Sequence, residues 1–372
     1  MEFDDPGTVE PKGLDASERE ELVFDRRRLL KRAGLVAAAA TVPSAVLASE
    51  SFGGVAKVLA AESFIQSHPK WKFVFVNHVT TNPFFVPTQY GAADACSLLG
   101  CSYQWTGSTT SQVSEMVNAF NSAISANAAG IAIALTDLRA FNGPTTRAQA
   151  RGIPVVSYNA DAASNKRSAY IGQDLYLSGF RMGERIVQDV KEGEVALFIA
   201  TPGQLNIQPR IDGAQAAIKQ KSGGKIKASA IATGSQLNEE LAKIDAYYLG
   251  HKSLKGMYAV DAGSTQGVAQ TMQKYGLARK GVKAGGYDLL PTTLRLIQLG
   301  HLDFTLDQQP YLQGWLPVLQ LWFYRYSSGL VAPSDTNTGI LFVTKANVKP
   351  YLTTKTRYEG SSSKQKYPVT KA

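Results

Sequence analysis

The chain has 372 residues, 44% of them hydrophobic and 19% charged, with a formal net charge of +9 at pH 7. That apolar share buries a sizeable core and the length calls for two domains, which excludes a disordered or low-complexity chain. The positive balance would suit nucleic acid only if it were clustered, but the basic residues are scattered and their densest block, Arg26 to Arg32, lies near the N-terminus. No nucleic-acid partner is expected.

Residues 1 to 48 read as a targeting segment. The basic stretch Asp25-Arg26-Arg27-Arg28-Leu29-Leu30-Lys31-Arg32 leads into an apolar run, Ala33 to Ala48, too short and too alanine-rich to span a membrane, and Val46-Leu47-Ala48 offers a small-residue cleavage site. Consecutive arginines before a weakly hydrophobic run resemble a twin-arginine export signal, so a periplasmic or other extracytoplasmic location is expected. An amphipathic helix on a cytoplasmic protein is the competing reading, but an uncharged Ala/Val/Leu run has no polar face to show. No cysteine lies near the cleavage site, so a lipid anchor is not expected. Cys96 and Cys101 are the only cysteines. A small disulfide loop and two buried thiols are equally open to them, and without nearby histidines they make no zinc site.

Residues 49 to 70 read as a linker with one helical stretch, Val55 to Gln66. From Trp71 short apolar runs alternate with amphipathic stretches, the pattern of a parallel sheet wrapped in helices. Strands are expected at Lys72 to Asn77, Ser102 to Thr106, Gly130 to Leu135, Pro154 to Tyr158 and Ser168 to Ile171, with helices at Phe84 to Leu99, Ser111 to Asn127 and Phe141 to Arg151 between them. A second set follows without a linker: strands at Glu194 to Ala200, Lys225 to Ala232, Gly256 to Val260, Val282 to Tyr287 and Phe304 to Asp307. Its helices are expected at Ser178 to Lys191, Arg210 to Gln220, Asn238 to Leu249, Gly267 to Tyr275 and Pro291 to Leu299. The class is therefore α/β with two similar lobes. A helix from Tyr311 to Tyr326, broken or kinked at Pro317, and a late strand, Ile340 to Val343, complete the fold. Residues 353 to 372 read as a flexible tail.

Enzyme motifs are missing. There is no His-Glu-x-x-His, phosphate loop or Gly-x-Gly-x-x-Gly, and Gly263-Ser264-Thr265-Gln266-Gly267 lacks the central serine of a nucleophile elbow. His68, His78, His251 and His301 sit in four separate segments. No catalytic residue, metal or cofactor is expected. What recurs instead is one or two polar side chains at the ends of six of the strands: Asn77 and His78, Thr136 and Asp137, Asn159 and Asp161, Asp261, Asp288, Gln308. In open α/β sheets these ends face the ligand crevice. Hydroxyls both donate and accept, so planar Asp, Asn, Gln and Arg groups suit a neutral polyol, and aromatic rings cover the C–H face of a sugar. Each residue could instead cap the helix that follows its strand. Asn82-Pro83 fits such a start, and Phe84 and Phe85 after it could be core or cleft.

Asn82-Pro83-Phe84-Phe85 after the first strand, Ile153-Pro154-Val155-Val156 leading to Asn159, Arg210-x-x-Gly213, Gly286-Tyr287-Asp288 and Gln308-x-Pro310 come in the order seen in the ribose-binding group of type I periplasmic binding proteins. The resemblance covers roughly Lys72 to Val343. It implies two doubly wound parallel-sheet lobes joined by a hinge, residues 71–174 plus 309–332 forming the first and 175–308 plus 333–352 the second. It also implies a monomeric, exported solute-binding protein that closes on a monosaccharide or related polyol and delivers it to the permease of an ABC transporter. The alternative is a sensory module presenting the same closed form to a chemoreceptor or kinase. By position Asn82, Phe84, Phe85 and Asn159 would contact the sugar from the first lobe, and Arg210, Asp261, Asp288 and Gln308 from the second lobe and the hinge. Ala160 stands where ribose binders carry an arginine and Asp261 where they carry an asparagine, which argues against ribose itself. Asp161, Asn206 and His78 would supply replacement contacts.

Overall fold

The computed structural model describes residues 67–353. The targeting segment, the helix expected at Val55 to Gln66 and the tail from residue 354 onward lie outside the described residues. Strand β1 (Lys72–Asn77) is buried at every position after the first, as a run of Phe73-Val74-Phe75-Val76 requires when both faces of a parallel sheet are covered. It pairs in parallel with β2 (Ser102–Gly107) on one side and β3 (Gly130–Ile133) on the other. With β4 (Val155–Tyr158), β5 (Ala169–Gly172) and the two-residue β11 (Thr336–Asn337) these form a six-stranded sheet in the order β11-β5-β4-β3-β1-β2.

The second sheet repeats that plan. Strands β6 (Gly193–Ile199), β7 (Ile226–Ala232), β8 (Gly256–Ala259), β9 (Lys283–Tyr287), β10 (Phe304–Asp307) and β12 (Leu341–Thr344) stand in the order β12-β10-β9-β8-β6-β7. Only β12, which returns beside β10, is antiparallel. In each sheet the strand order reverses at the first strand of the half, β1 or β6, whose neighbours lie on opposite sides. The loops leaving β1 and β6 therefore open at the two switch points where α/β sheets hold ligands.

The chain passes between the sheets three times. The first passage follows β5, at Asp174, whose carboxylate caps the helix Leu175–Val190 by accepting from Leu177 N. The second follows β10, where Gln308 leads to the helix Leu312–Tyr326. The third lies between β11 and β12. Because β11 pairs with β5, residues 336 and 337, grouped by the sequence with the second lobe, belong to the first sheet. Two residues of strand carry no periodicity that a sequence could display. The helix Leu312–Tyr326 runs unbroken through Pro317. It packs on the helix Val86–Leu99 so closely that a Cβ on Gly314 would stand 1.8 Å from the Thr88 carbonyl oxygen.

Both cysteines are free thiols, Cys96 buried and Cys101 half-buried, at the join between the helix Val86–Leu99 and β2. No described helix is long and apolar enough to cross a membrane.

Candidate ligand-binding site

The loop leaving β1 is built by its own polar groups. Asn77, fully buried, accepts from Val79 N through Oδ1 at 2.8 Å and donates through Nδ2 to the Tyr158 hydroxyl at 2.8 Å. Asn82 caps a single 3-10 turn, Pro83–Phe85, accepting from Phe84 N at 2.9 Å. Three residues per turn place consecutive side chains about 120° apart. Phe84 and Phe85 thus diverge yet meet edge to face, their centroids 4.7 Å apart. Both are buried and both line a cavity, so core and cleft are one role here.

That cavity lies between the two sheets. His78, Asn82, Phe84, Phe85 and Asn159 reach it from the first, and Asn206, Arg210, Asp261, Asp288 and Gln308 come from the second and from the hinge. Every candidate contact except Asp161 therefore converges on one space. Asp161 is turned away: its carboxylate takes a forked pair from Arg167 Nε and Nη2 at 2.7 and 2.6 Å and a third bond from Ser157. The cause is Asn159, whose φ of 62° sends the chain around a left-handed corner. Thr136 and Asp137 are structural as well. Thr136 sits against the Met116 sulfur, and Asp137 accepts from Arg139 N and Ala140 N.

Ile207 and Ala262 also line the cavity. Apolar types gave no chemical signal, but Ile207 follows β6 as the phenylalanines follow β1, and the equivalence of the two switch points would have found it.

Arg210 is 2% exposed. Its guanidinium lies 4.1 Å over the Tyr287 ring and donates to two neutral acceptors, the Val260 carbonyl at 2.8 Å and Gln173 Oε1 at 3.1 Å. Asp261 spends one oxygen on Ser264 N, capping the helix Ala262–Lys274, and the other on Ala200 N. Asp288, with φ of 75°, accepts from Gln308 Nε2 at 2.7 Å. Burial pushes its carboxyl up to about 7, with Arg210 pulling the other way. Burial also lowers His78 to about 4, so the imidazole is neutral near pH 7.

Across the cleft, Asn206 Nδ2 lies 3.1 Å from His78 Nε2. The amide donates, so the ring proton sits on Nδ1. His78 Nδ1, Asn206 Oδ1 and Arg210 Nε are buried and have no hydrogen-bond partner among the described residues. Each would cost roughly 1–3 kcal/mol if it stayed unpaired. Two donors and one acceptor, aromatic rings on one side and carboxylates on the other make a site for a small, uncharged, hydroxyl-rich molecule. A wider groove beside β1 and β2 is lined largely by alanines and lysines and contains none of these unpartnered atoms.

Two sheets with parallel switch points facing one polar cavity define a two-lobed cleft binder. The periplasmic binding protein domain family matches residues 73–324, and the chain belongs to that family. Its members bind solutes and are not enzymes, and membership places the protein outside the cytoplasm. The chain is similar to the xylose/arabinose-binding protein XylF of Sulfolobus acidocaldarius, with 50% identity over 317 residues, 81% of this chain and 78% of that protein. Among solved structures, an ABC transporter solute-binding protein of Burkholderia graminis in complex with D-arabinose shares 26% identity, with a TM-score of 0.72 over 77% of this chain and 99% of that one. GanP, a glucose-galactose-binding protein of Geobacillus stearothermophilus, shares the fold at 24% identity, with a TM-score of 0.68 over 75% of this chain and 99% of that one.

Proposed function

We propose that the protein captures a pentose of the xylose or arabinose kind in this cavity and delivers it, as a monomer, to the permease of an ABC importer after export by a twin-arginine route. The observation that carries the reading is the set of unpartnered atoms, His78 Nδ1 from one lobe and Asn206 Oδ1 and Arg210 Nε from the other. A sugar bridging them satisfies groups that neither lobe can satisfy alone, and so favours the closed arrangement over an open one by its differential contacts. Phe84 and Phe85 cover its C–H face, while Asp288 and Asp261 accept hydroxyl protons. The half-identical relative, called a xylose/arabinose-binding protein, supports the choice of pentose.

A thermal-shift screen of pentoses, hexoses and polyols tests it. At one hundred times Kd, stabilisation of about 2.7 kcal/mol should raise Tm by roughly 5 °C. Xylose or arabinose is expected to do so. A screen in which neither moves Tm sinks the proposal.

A further inference from the structure

A second cavity adjoins the first, and Asn82 lines both. It too lies between the lobes, with Thr81 and Asn82 on one wall and Ser235, Gln236 and Glu240 on the other. Glu240 is 4% exposed. It points from the helix Leu237–Gly250 onto the backbone of Gly263, where a Cβ would stand 1.5 Å from Oε2. Glycine at 263 is what lets the carboxyl lie there. Among the described residues only the backbone of Glu240 is hydrogen-bonded, Glu240 N donating to Gln236 O at 3.0 Å. Burial, then the neighbouring Asp261, pushes the carboxyl up to about 9. At neutral pH the group is therefore an uncharged acid that can both donate and accept.

An uncharged acid with no partner does not attract a cation, and no lysine or arginine lines the cavity to hold an anion. The remaining walls mix hydroxyl and amide groups with the apolar surfaces of Pro83, Leu237 and Leu290. That combination matches a neutral sugar ring, which presents hydroxyls at its edge and C–H groups on its face. We propose that this cavity is a second subsite, which takes the next sugar unit of a short neutral glycoside whose first unit occupies the primary site. The cleft then accepts a disaccharide as well as a free pentose, with Asn82 at the junction and Glu240 bonded to a hydroxyl of the outer unit. The inference rests on the pentose reading of the primary site.

Calorimetry on the full chain with xylose, arabinose, xylobiose and arabinobiose tests it. A disaccharide is expected to bind the wild type with affinity at least equal to its monosaccharide. Ser235→Trp, which fills the outer cavity, and Glu240→Leu should each weaken disaccharide binding at least tenfold, and Glu240→Gln should restore most of the loss. Retained binding of the monosaccharide shows that the variants fold. Binding of a monosaccharide with no binding of either disaccharide overturns the subsite alone. An unchanged ratio of disaccharide to monosaccharide affinity in Ser235→Trp and Glu240→Leu overturns it as well. Failure of all four sugars in the wild type overturns the pentose reading and the subsite with it.

Discussion

Asp288 makes affinity and stability run in opposite directions with pH. Its carboxyl, held at about 7 against an ordinary 3.8, keeps its proton in the unliganded fold where the unfolded chain has lost it. The folded state binds more protons between those values, so this group's contribution to stability is complete below about 4 and is lost as pH rises through about 7. Sugar hydroxyls donated to Asp288 favour the charged form, and binding near pH 6 then releases a proton. Affinity should climb by up to tenfold per pH unit and level off above pH 7. If the bound carboxyl falls to about 5, the full gain from well below pH 5 to well above pH 7 is about 100-fold, or about 2.7 kcal/mol, of which about 25-fold falls between pH 5 and 7. His78, near 4, and Glu240, near 9, titrate outside that window. Asp261 is raised by burial too, so Asp288→Asn is needed to separate the two carboxyls. Calorimetry at pH 5, 6, 7 and 8, in buffers of differing protonation enthalpy, counts the protons directly. The variant should bind more weakly by roughly 1.5–3 kcal/mol per lost charge-assisted bond and with a flattened pH profile. A flat profile in the wild type, or an unchanged slope in Asp288→Asn, would refute the reasoning.

Gly314→Ala drives a methyl into the Thr88 carbonyl, 1.8 Å from where its Cβ must sit. Neither helix backbone can yield cheaply, so a loss of about 3 kcal/mol or more is expected in urea denaturation, and a midpoint equal to wild type would contradict the close approach. Asp161→Asn breaks the forked bond to Arg167, whose side chains are 17% and 19% exposed. It should cost about 1 kcal/mol of stability and leave pentose affinity unchanged, whereas a tenfold loss in calorimetry would return Asp161 to the site. Arg26→Lys combined with Arg27→Lys and Arg28→Lys should leave uncleaved precursor inside the cell, and normal export seen on fractionation would dismiss the twin-arginine route.

The alternation of apolar runs with amphipathic stretches was enough to read every strand of both sheets except the two-residue β11, because a strand covered on both faces has to spell itself as Phe73 to Val76 do. The site was legible for a related reason: polar residues at strand ends stand out against such runs, and nearly all of those assigned to ligand contact do meet. Local order could not reveal where a backbone turns a corner. Asn159 and Asp161 look equivalent in sequence, but the left-handed φ of 62° at Asn159 aims one side chain into the cavity and sends the other to Arg167. Apolar linings such as Ile207 were hidden because their residue type signals burial whichever surface they cover.

Gln313 was the least legible of all, a buried polar residue inside a helix whose only feature singled out in the sequence was Pro317. It accepts from Asn159 Nδ2 at 3.2 Å and donates to Gln308 Oε1 at 3.1 Å, and Gln308 in turn donates to Asp288 at 2.7 Å. This amide chain runs in one donor direction from a first-lobe contact, through the hinge, to a second-lobe carboxylate. Turning over any one amide would oppose two donors or two acceptors, so the chain holds Asn159, Gln308 and Asp288 in mutually consistent orientations. The candidate ligand contacts are distant in sequence but are oriented together, because the hinge that joins the lobes also carries the hydrogen bonds that align them.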